Sequence, residues 1–70
     1  MPASYSAVIQ REGDWWIGWI EEVPGVNSQG CTRDELLENL RDALEEALEM
    51  NRADARAAAS GSYEEVSISA

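Results

Sequence analysis

The chain has 70 residues, of which 44% are hydrophobic and 27% are charged; it is long enough for one small domain and too apolar for a disordered tail. Fourteen Asp and Glu against five basic residues give a net charge of −9, which disfavours binding to nucleic acid and to an anionic membrane surface. Cys31 is the single cysteine and there is no histidine, so an internal disulfide is impossible and no zinc site is expected.

The first residues of the chain bear on its location. Met1-Pro2-Ala3-Ser4 has no basic start and no apolar run follows it, so we expect no signal peptide. The longest apolar stretch, from Trp15 to Ile20, is far shorter than a membrane span. Together these features predict a cytoplasmic protein with no membrane partner.

Three short segments in the first half of the chain have the composition of strands. Residues 5–10 and 15–21 are rich in β-branched and aromatic side chains, and residues 11–14 between them form a Gly-Asp turn. Pro24-Gly25 suits the middle of a type II turn, after which residues 26–29 form a shorter third strand. Two tight connections between consecutive strands predict an antiparallel meander.

A helix is predicted after the third strand. Thr32 and Glu35 have capping-box spacing, in which the Thr32 hydroxyl accepts from the Glu35 amide and the Glu35 carboxylate accepts from the Thr32 amide. Apolar residues then recur every three or four positions, at Leu36, Leu37, Leu40, Ala43, Leu44, Ala47 and Leu48. This spacing predicts an amphipathic helix from Arg33 to about Met50. The alanine-rich residues 51–59 leave its end open between two alternatives: a break or fray near their start, or a helix that extends beyond the sheet.

The last part of the chain predicts a fourth strand. Residues 64–69 alternate polar with apolar side chains, which is typical of a half-buried strand. The order β-β-β-α-β defines a two-layer α+β sandwich, formed by a single domain over residues 1–70. A right-handed crossover would place the fourth strand parallel to the first and beside it, for a sheet order of 3-2-1-4.

The second predicted strand is apolar on both faces. Its two faces carry Trp15, Ile17 and Trp19, and Trp16, Gly18 and Ile20. One helix covers only one face of a sheet, so at least one large aromatic side chain is left uncovered, and Gly18 indicates close approach of another group. A domain of this size also has a barely sufficient core. We therefore expect a homo-oligomer, a dimer or tetramer, with Trp15, Trp16, Trp19 and Ile20 in the contacts. The alternatives are that residues 51–59 fold over the open face or that one tryptophan lies at its rim.

The exterior of the predicted helix carries like charges at four-residue spacing. Glu38 and Asp42 form one such pair and Glu45 and Glu49 another, and each pair opposes the stability of an isolated helix by about 0.2–0.5 kcal/mol. These four carboxylates are candidates for contact with a cationic partner. The alternative is that they form an ordinary solvated face.

The remaining reactive side chains do not favour catalysis. The chain has no histidine to act as a base near neutral pH, and Cys31 therefore has no imidazole partner. Glu21 and Glu22 are adjacent in sequence, so on a strand they point to opposite faces and cannot share a substrate. We expect no enzymatic activity and no cofactor.

The run from Gly13 to Glu35 contains an ordered set of motifs. It has a Gly-Asp-Trp start, an aromatic-rich strand, the Val23-Pro24-Gly25 turn, the Ser28-Gln29-Gly30 segment and a Thr-capped acidic helix. In this order the motifs resemble the HicB-like antitoxin domain. The likeness covers residues 5–50 well and the last predicted strand loosely.

This resemblance implies both a fold and a function. The fold would be a partial RNase-H-like β-β-β-α-β domain that self-associates. The function would be that of an antitoxin that binds a small basic mRNA-cleaving toxin of the HicA type and covers its histidine-based site. Many family members carry a C-terminal DNA-binding domain, whereas this sequence stops at Ala70, so autoregulation by DNA binding is not expected. Stand-alone family members need not have a toxin beside them, and the alternative is a self-associating structural or regulatory module.

Overall fold

The computed structural model describes residues 4–69, which form a three-stranded sheet and one long helix. The elements are β1 (Ala7–Glu12), β2 (Trp15–Ile20), β3 (Asn27–Gly30) and α1 (Arg33–Ala58). The sheet is antiparallel with the order β1-β2-β3, which confirms the α+β class and the meander. The expectation of no signal peptide rests on residues 1–3 in part, and these lie outside the described residues.

Both turns of the meander depend on a glycine with positive φ. Gly13 has φ 60° as the first residue of the two-residue connection from β1 to β2, which is the requirement of a type II′ hairpin turn. Gly25 has φ 87°, and the Val26 amide donates to the Val23 carbonyl at 3.4 Å across Pro24. The predicted type II turn is therefore confirmed.

The start of α1 is held by the predicted cap. The Thr32 hydroxyl accepts from the Glu35 amide at 3.1 Å, so the predicted first helical residue, Arg33, is confirmed. The reciprocal contact differs by one residue from the prediction, because the Glu35 carboxylate accepts from the Cys31 amide at 3.3 Å rather than from that of Thr32.

The helix α1 does not break near Asn51 but extends beyond the sheet, which is the second of the two predicted alternatives. α1 has 26 residues and is about 39 Å long at ~1.5 Å per residue, whereas the six residues of β2 span only about 20 Å. Residues 51–58 contain neither Pro nor Gly, and their alanines have high helix propensity. The helix consequently runs about 16 Å beyond Ala47, the last of its residues that packs against the core.

The predicted fourth strand is wrong for the single chain. Residues 63–69 have no regular secondary structure, and the sheet contains three strands, so the order 3-2-1-4 and the RNase-H-like arrangement that needs it are not formed. The physical reason is the long helix. Because α1 ends well beyond the sheet, the residues that follow it begin too far from β1 to pair with that strand.

The core lies between α1 and one face of the sheet. Within residues 4–69 the buried apolar side chains are Ile20, Val26, Leu36 and Leu40, and the partly buried ones around them are Ile9, Trp16, Val23, Ala43, Leu44 and Ala47. A Cβ added to Gly18 would lie 3.0 Å from Ile9 Cγ2 and 3.1 Å from Leu40 Cδ1. The glycine thus permits the close approach that its position in the strand predicted.

Candidate interaction surfaces

The face of the sheet opposite α1 is apolar along β2. Trp15 and Trp19 are exposed to 49% and 41%, and Ile17 between them is half-buried. The strand register places Val8 of β1 directly beside Trp19. We call Trp15, Ile17 and Trp19 the tryptophan face.

Nothing within residues 4–69 covers the tryptophan face. Residues 51–58, which could have folded over it, continue α1 instead. Apart from Val8, its neighbours on the adjacent strands are polar: Gln10 and Gln29 lie opposite Ile17, Asn27 lies opposite Trp19, and Glu12 lies opposite Trp15. An apolar patch bordered by polar side chains is typical of a protein-interaction surface.

Two residues predicted to be in the contacts belong to the core instead. Ile20 is buried, and Trp16 packs against the core cluster, because both project to the helix side of β2. Ile20 is therefore not accessible to a partner of the folded chain, whereas Trp16 is only partly buried. Ile17 lies on the same face as Trp15 and Trp19, as the alternation along the strand indicates, although it is not among the residues predicted for the contacts.

The predicted carboxylates form a continuous row on α1. Glu38, Asp42, Glu45 and Glu49 are all exposed, and their helical spacing places them on the side of α1 opposite Leu36. We call these four residues the acidic row. Glu49 Oε2 lies 3.8 Å from Arg52 Nη1, an exposed ion pair that offsets little of the charge.

The structure does not bring the two predicted surfaces together. The tryptophan face lies on the outer side of the sheet, and the acidic row lies on the outer side of the helix layer. One flat partner surface cannot contact both.

Several polar groups within residues 4–69 lie outside these two surfaces. Cys31 is an exposed free thiol, and no group of three or more His, Cys, Asp or Glu within residues 4–69 could hold a metal ion. The Glu22 carboxylate accepts from the Ser6 amide at 2.7 Å, and this hydrogen bond holds the pKa of Glu22 below its ordinary value. No helix in the described part of the chain is long and apolar enough to cross a membrane.

The chemistry of each surface indicates which kind of molecule would suit it. Three apolar side chains in line favour another apolar surface, while a row of carboxylates favours a cationic one. Comparison with protein-family models, with curated proteins and with solved structures finds no match for this chain.

Proposed function

We propose that the chain is an acidic antitoxin-like protein that binds and neutralises a small basic mRNA-cleaving toxin of the HicA type. The observation that carries this proposal is the acidic row, four exposed carboxylates on the side of α1 that faces away from the core. The net charge of −9 and the resemblance of residues 13–35 to the HicB-like domain support it.

In this proposal the acidic row inhibits by occupying the surface with which the toxin binds RNA. A protein that binds RNA phosphates needs a basic surface, and a row of carboxylates competes for the same cationic side chains. From Glu38 to Glu49 the row extends about 16 Å along the helix, at ~1.5 Å per residue. The field of the whole chain also steers a basic partner towards it. Inhibition by covering needs no catalytic group and no cofactor.

The tryptophan face serves self-association in the same proposal. Its exposed indoles match an identical apolar face on a second copy, and stacking the two would remove Trp15 and Trp19 from water.

The alternative function is a self-associating structural or regulatory module in the cytoplasm without a toxin partner. The tryptophan face favours it, because this face is apolar and by itself requires only another copy. The two functions differ in their need for the acidic row, which self-association does not use.

Co-expression with a candidate toxin of the HicA type tests the antitoxin proposal. The unchanged chain should rescue growth and form a stable complex, whereas Glu38→Lys with Asp42→Lys should weaken that complex about 100-fold through charge reversal. The control, Asp14→Lys with Asp54→Lys, makes the same change in net charge outside the row and should retain most of the binding. Failure of the unchanged chain to bind or to rescue would leave the alternative.

A further inference from the structure

The outer edge of β1 and residues 63–69 have no backbone hydrogen-bond partner within the described part of the chain. The Glu21 amide donates to the Ser6 carbonyl at the start of the β1–β2 ladder. Because hydrogen-bonded and non-hydrogen-bonded pairs alternate in an antiparallel ladder, Ala7, Ile9 and Arg11 direct their amides and carbonyls away from β2. Such an open edge is a template for a further strand.

The opposite edge of the sheet is less accessible than that of β1. The Asn39 side chain of α1 donates to the Gln29 carbonyl at 2.9 Å. A Cβ added to Gly30 would lie only 2.7 Å from the Leu36 amide nitrogen, so the start of the helix lies against the end of β3. An added strand is therefore expected on β1.

The segment of residues 63–69 has the pattern of a strand that lacks a sheet. Val66 and Ile68 alternate with polar residues, a pattern that buries the apolar side chains when a strand joins a sheet. Here these two side chains are exposed to 72% and 89%. The segment lies beside the part of α1 beyond the sheet, where Glu65 Oε1 is 2.7 Å from Arg56 Nε. Arg56 follows the acidic row at helical spacing, so this contact is on the side of α1 away from the sheet.

The β1 edge of the same chain is out of reach for this segment. The connection of residues 59–63 spans at most about 17 Å when fully extended. The end of α1 is already about 16 Å beyond Ala47 along the helix, and the edge of β1 lies in the other layer, on the far side of β2. Pairing within one chain would require the end of α1 to unwind.

We propose that residues 63–69 add as a fourth strand to the β1 edge of a second copy, and that the two copies exchange these strands reciprocally. An antiparallel register places Val66 opposite Ile9 and Ile68 opposite Ala7, and it also places Glu64 opposite Arg11. All three partners on β1 are residues whose backbone groups point outward, so each pair can exchange two hydrogen bonds.

The side chains favour this register over a parallel one. Ala7 and Ile9 project to the helix side of the sheet, since they stand opposite Ile20 and Gly18, so Val66 and Ile68 would extend the core at its open end. In the same register Glu64 lies opposite Arg11, and this pair of opposite charges also favours the antiparallel alignment. A parallel alignment of Val66 with Ile9 would instead put Ile68 opposite Arg11.

Cross-linking between two differently labelled chains tests the exchange. In a Cys31→Ser background, a chain with Arg11→Cys is mixed with a chain carrying Glu64→Cys. Hydrogen-bonded residues in an antiparallel pair have Cα atoms about 5.5 Å apart, which is within the range of a disulfide. We expect oxidation to link the two chains covalently. The control replaces the first chain by one with Gln29→Cys, on β3, and should give little product.

A single chain carrying both Arg11→Cys and Glu64→Cys distinguishes exchange from pairing within the chain. Exchange predicts linked dimers, while a monomer closed by an internal disulfide would overturn the proposal. Equal cross-linking of Gln29→Cys would overturn it as well, because the product would then reflect random collision. When Trp15→Ser and Trp19→Ser are added to this chain, it should still form linked dimers. Strand exchange is therefore tested independently of self-association through the tryptophan face.

Charge reversal supplies a second, non-covalent measurement. Arg11→Glu alone and Glu64→Arg alone should each weaken the dimer about tenfold, because each places like charges opposite each other at two sites. Mixing the two variant chains should restore the affinity, since both sites of the mixed dimer then carry opposite charges. No recovery on mixing would contradict the register.

Discussion

Gly30 joins the sheet to the helix through the absence of a side chain. A Cβ at this position would lie 2.7 Å from the Leu36 amide nitrogen and 3.1 Å from the Glu35 carbonyl carbon. These are backbone atoms in the first turn of α1, which cannot move aside as the end of a flexible side chain can. The close packing of α1 on β3 therefore depends on this glycine.

Gly30→Ala should lower the free energy of unfolding by about 1–3 kcal/mol, because one methyl group must displace the start of the helix. Denaturant unfolding followed by tryptophan fluorescence measures the change. Gln29→Ala, at the neighbouring exposed position, is the matched control and should shift stability by less than about 0.5 kcal/mol. If the two substitutions lowered the free energy of unfolding equally, the close approach of Gly30 to the first turn of α1 would not be what stabilises the fold.

Glu22 contributes to the stability of the folded chain, and this contribution decreases at low pH. The hydrogen bond from the Ser6 amide lowers the pKa of Glu22 in the folded chain below the ordinary value of 4.5. The unfolded chain then binds the proton more tightly, so this stabilisation is present above pH 4.5 and is lost as the pH falls through the folded-state pKa. Glu22→Gln keeps an acceptor without the charge and should lose less stability between pH 7 and pH 3. Parallel stability-versus-pH curves for the two proteins would contradict this assignment.

The strand β2 divides its three tryptophans between a structural and an exposed role. Trp16 packs against the core, whereas Trp15 and Trp19 project from the opposite face. The division follows from the alternation of side chains along a strand. It means that substitutions at neighbouring positions of one element are expected to have effects of different kinds.

Trp16→Ala should reduce the free energy of unfolding by about 3 kcal/mol through lost packing. Trp19→Ala should change it by less than about 1 kcal/mol and should instead weaken self-association. Urea unfolding and sedimentation velocity, applied to both variants, separate the two effects. A Trp19 variant that unfolds as easily as the Trp16 variant would place that side chain in the fold rather than at a surface.

The whole chain combines a small core, a high negative charge and surfaces on opposite sides. Its buried apolar side chains among residues 4–69 are few, and α1 extends far beyond the sheet they cover. Association of copies would bury additional apolar area and so add to the stability of a domain whose own core is small. The net charge of −9 opposes such association and favours a basic partner.

Salt should therefore affect the two kinds of binding in opposite directions. Raising the salt concentration from 0.05 to 0.5 M should strengthen self-association at micromolar protein, because screening reduces repulsion between acidic copies. The same change should weaken binding of a basic partner. Sedimentation velocity for the chain alone and titration calorimetry for the complex measure these responses. A chain that stays monomeric at every salt concentration would contradict self-association both through the tryptophan face and through exchange of residues 63–69.

Local interactions explain which features could be predicted from the sequence. The capping residues Thr32 and Glu35 and the glycine turns are specified by neighbours in the sequence, and the structure shows them near their expected positions. The two faces of β2 follow from alternation, and the acidic row follows from helical spacing. The side chains that share a surface were predictable for the same reason.

Contacts between distant residues decided the rest. The amino-acid order alone determined a three-stranded meander, a Thr-capped helix and two apolar faces on β2, because these depend on local conformation and side-chain period. Which face α1 covers was decided only in three dimensions, where Leu40 packs against Gly18 and leaves the tryptophan face open. The absence of a fourth strand at residues 64–69 also depends on the tertiary structure. A strand forms only where a partner edge lies within reach, and α1 ends far from β1.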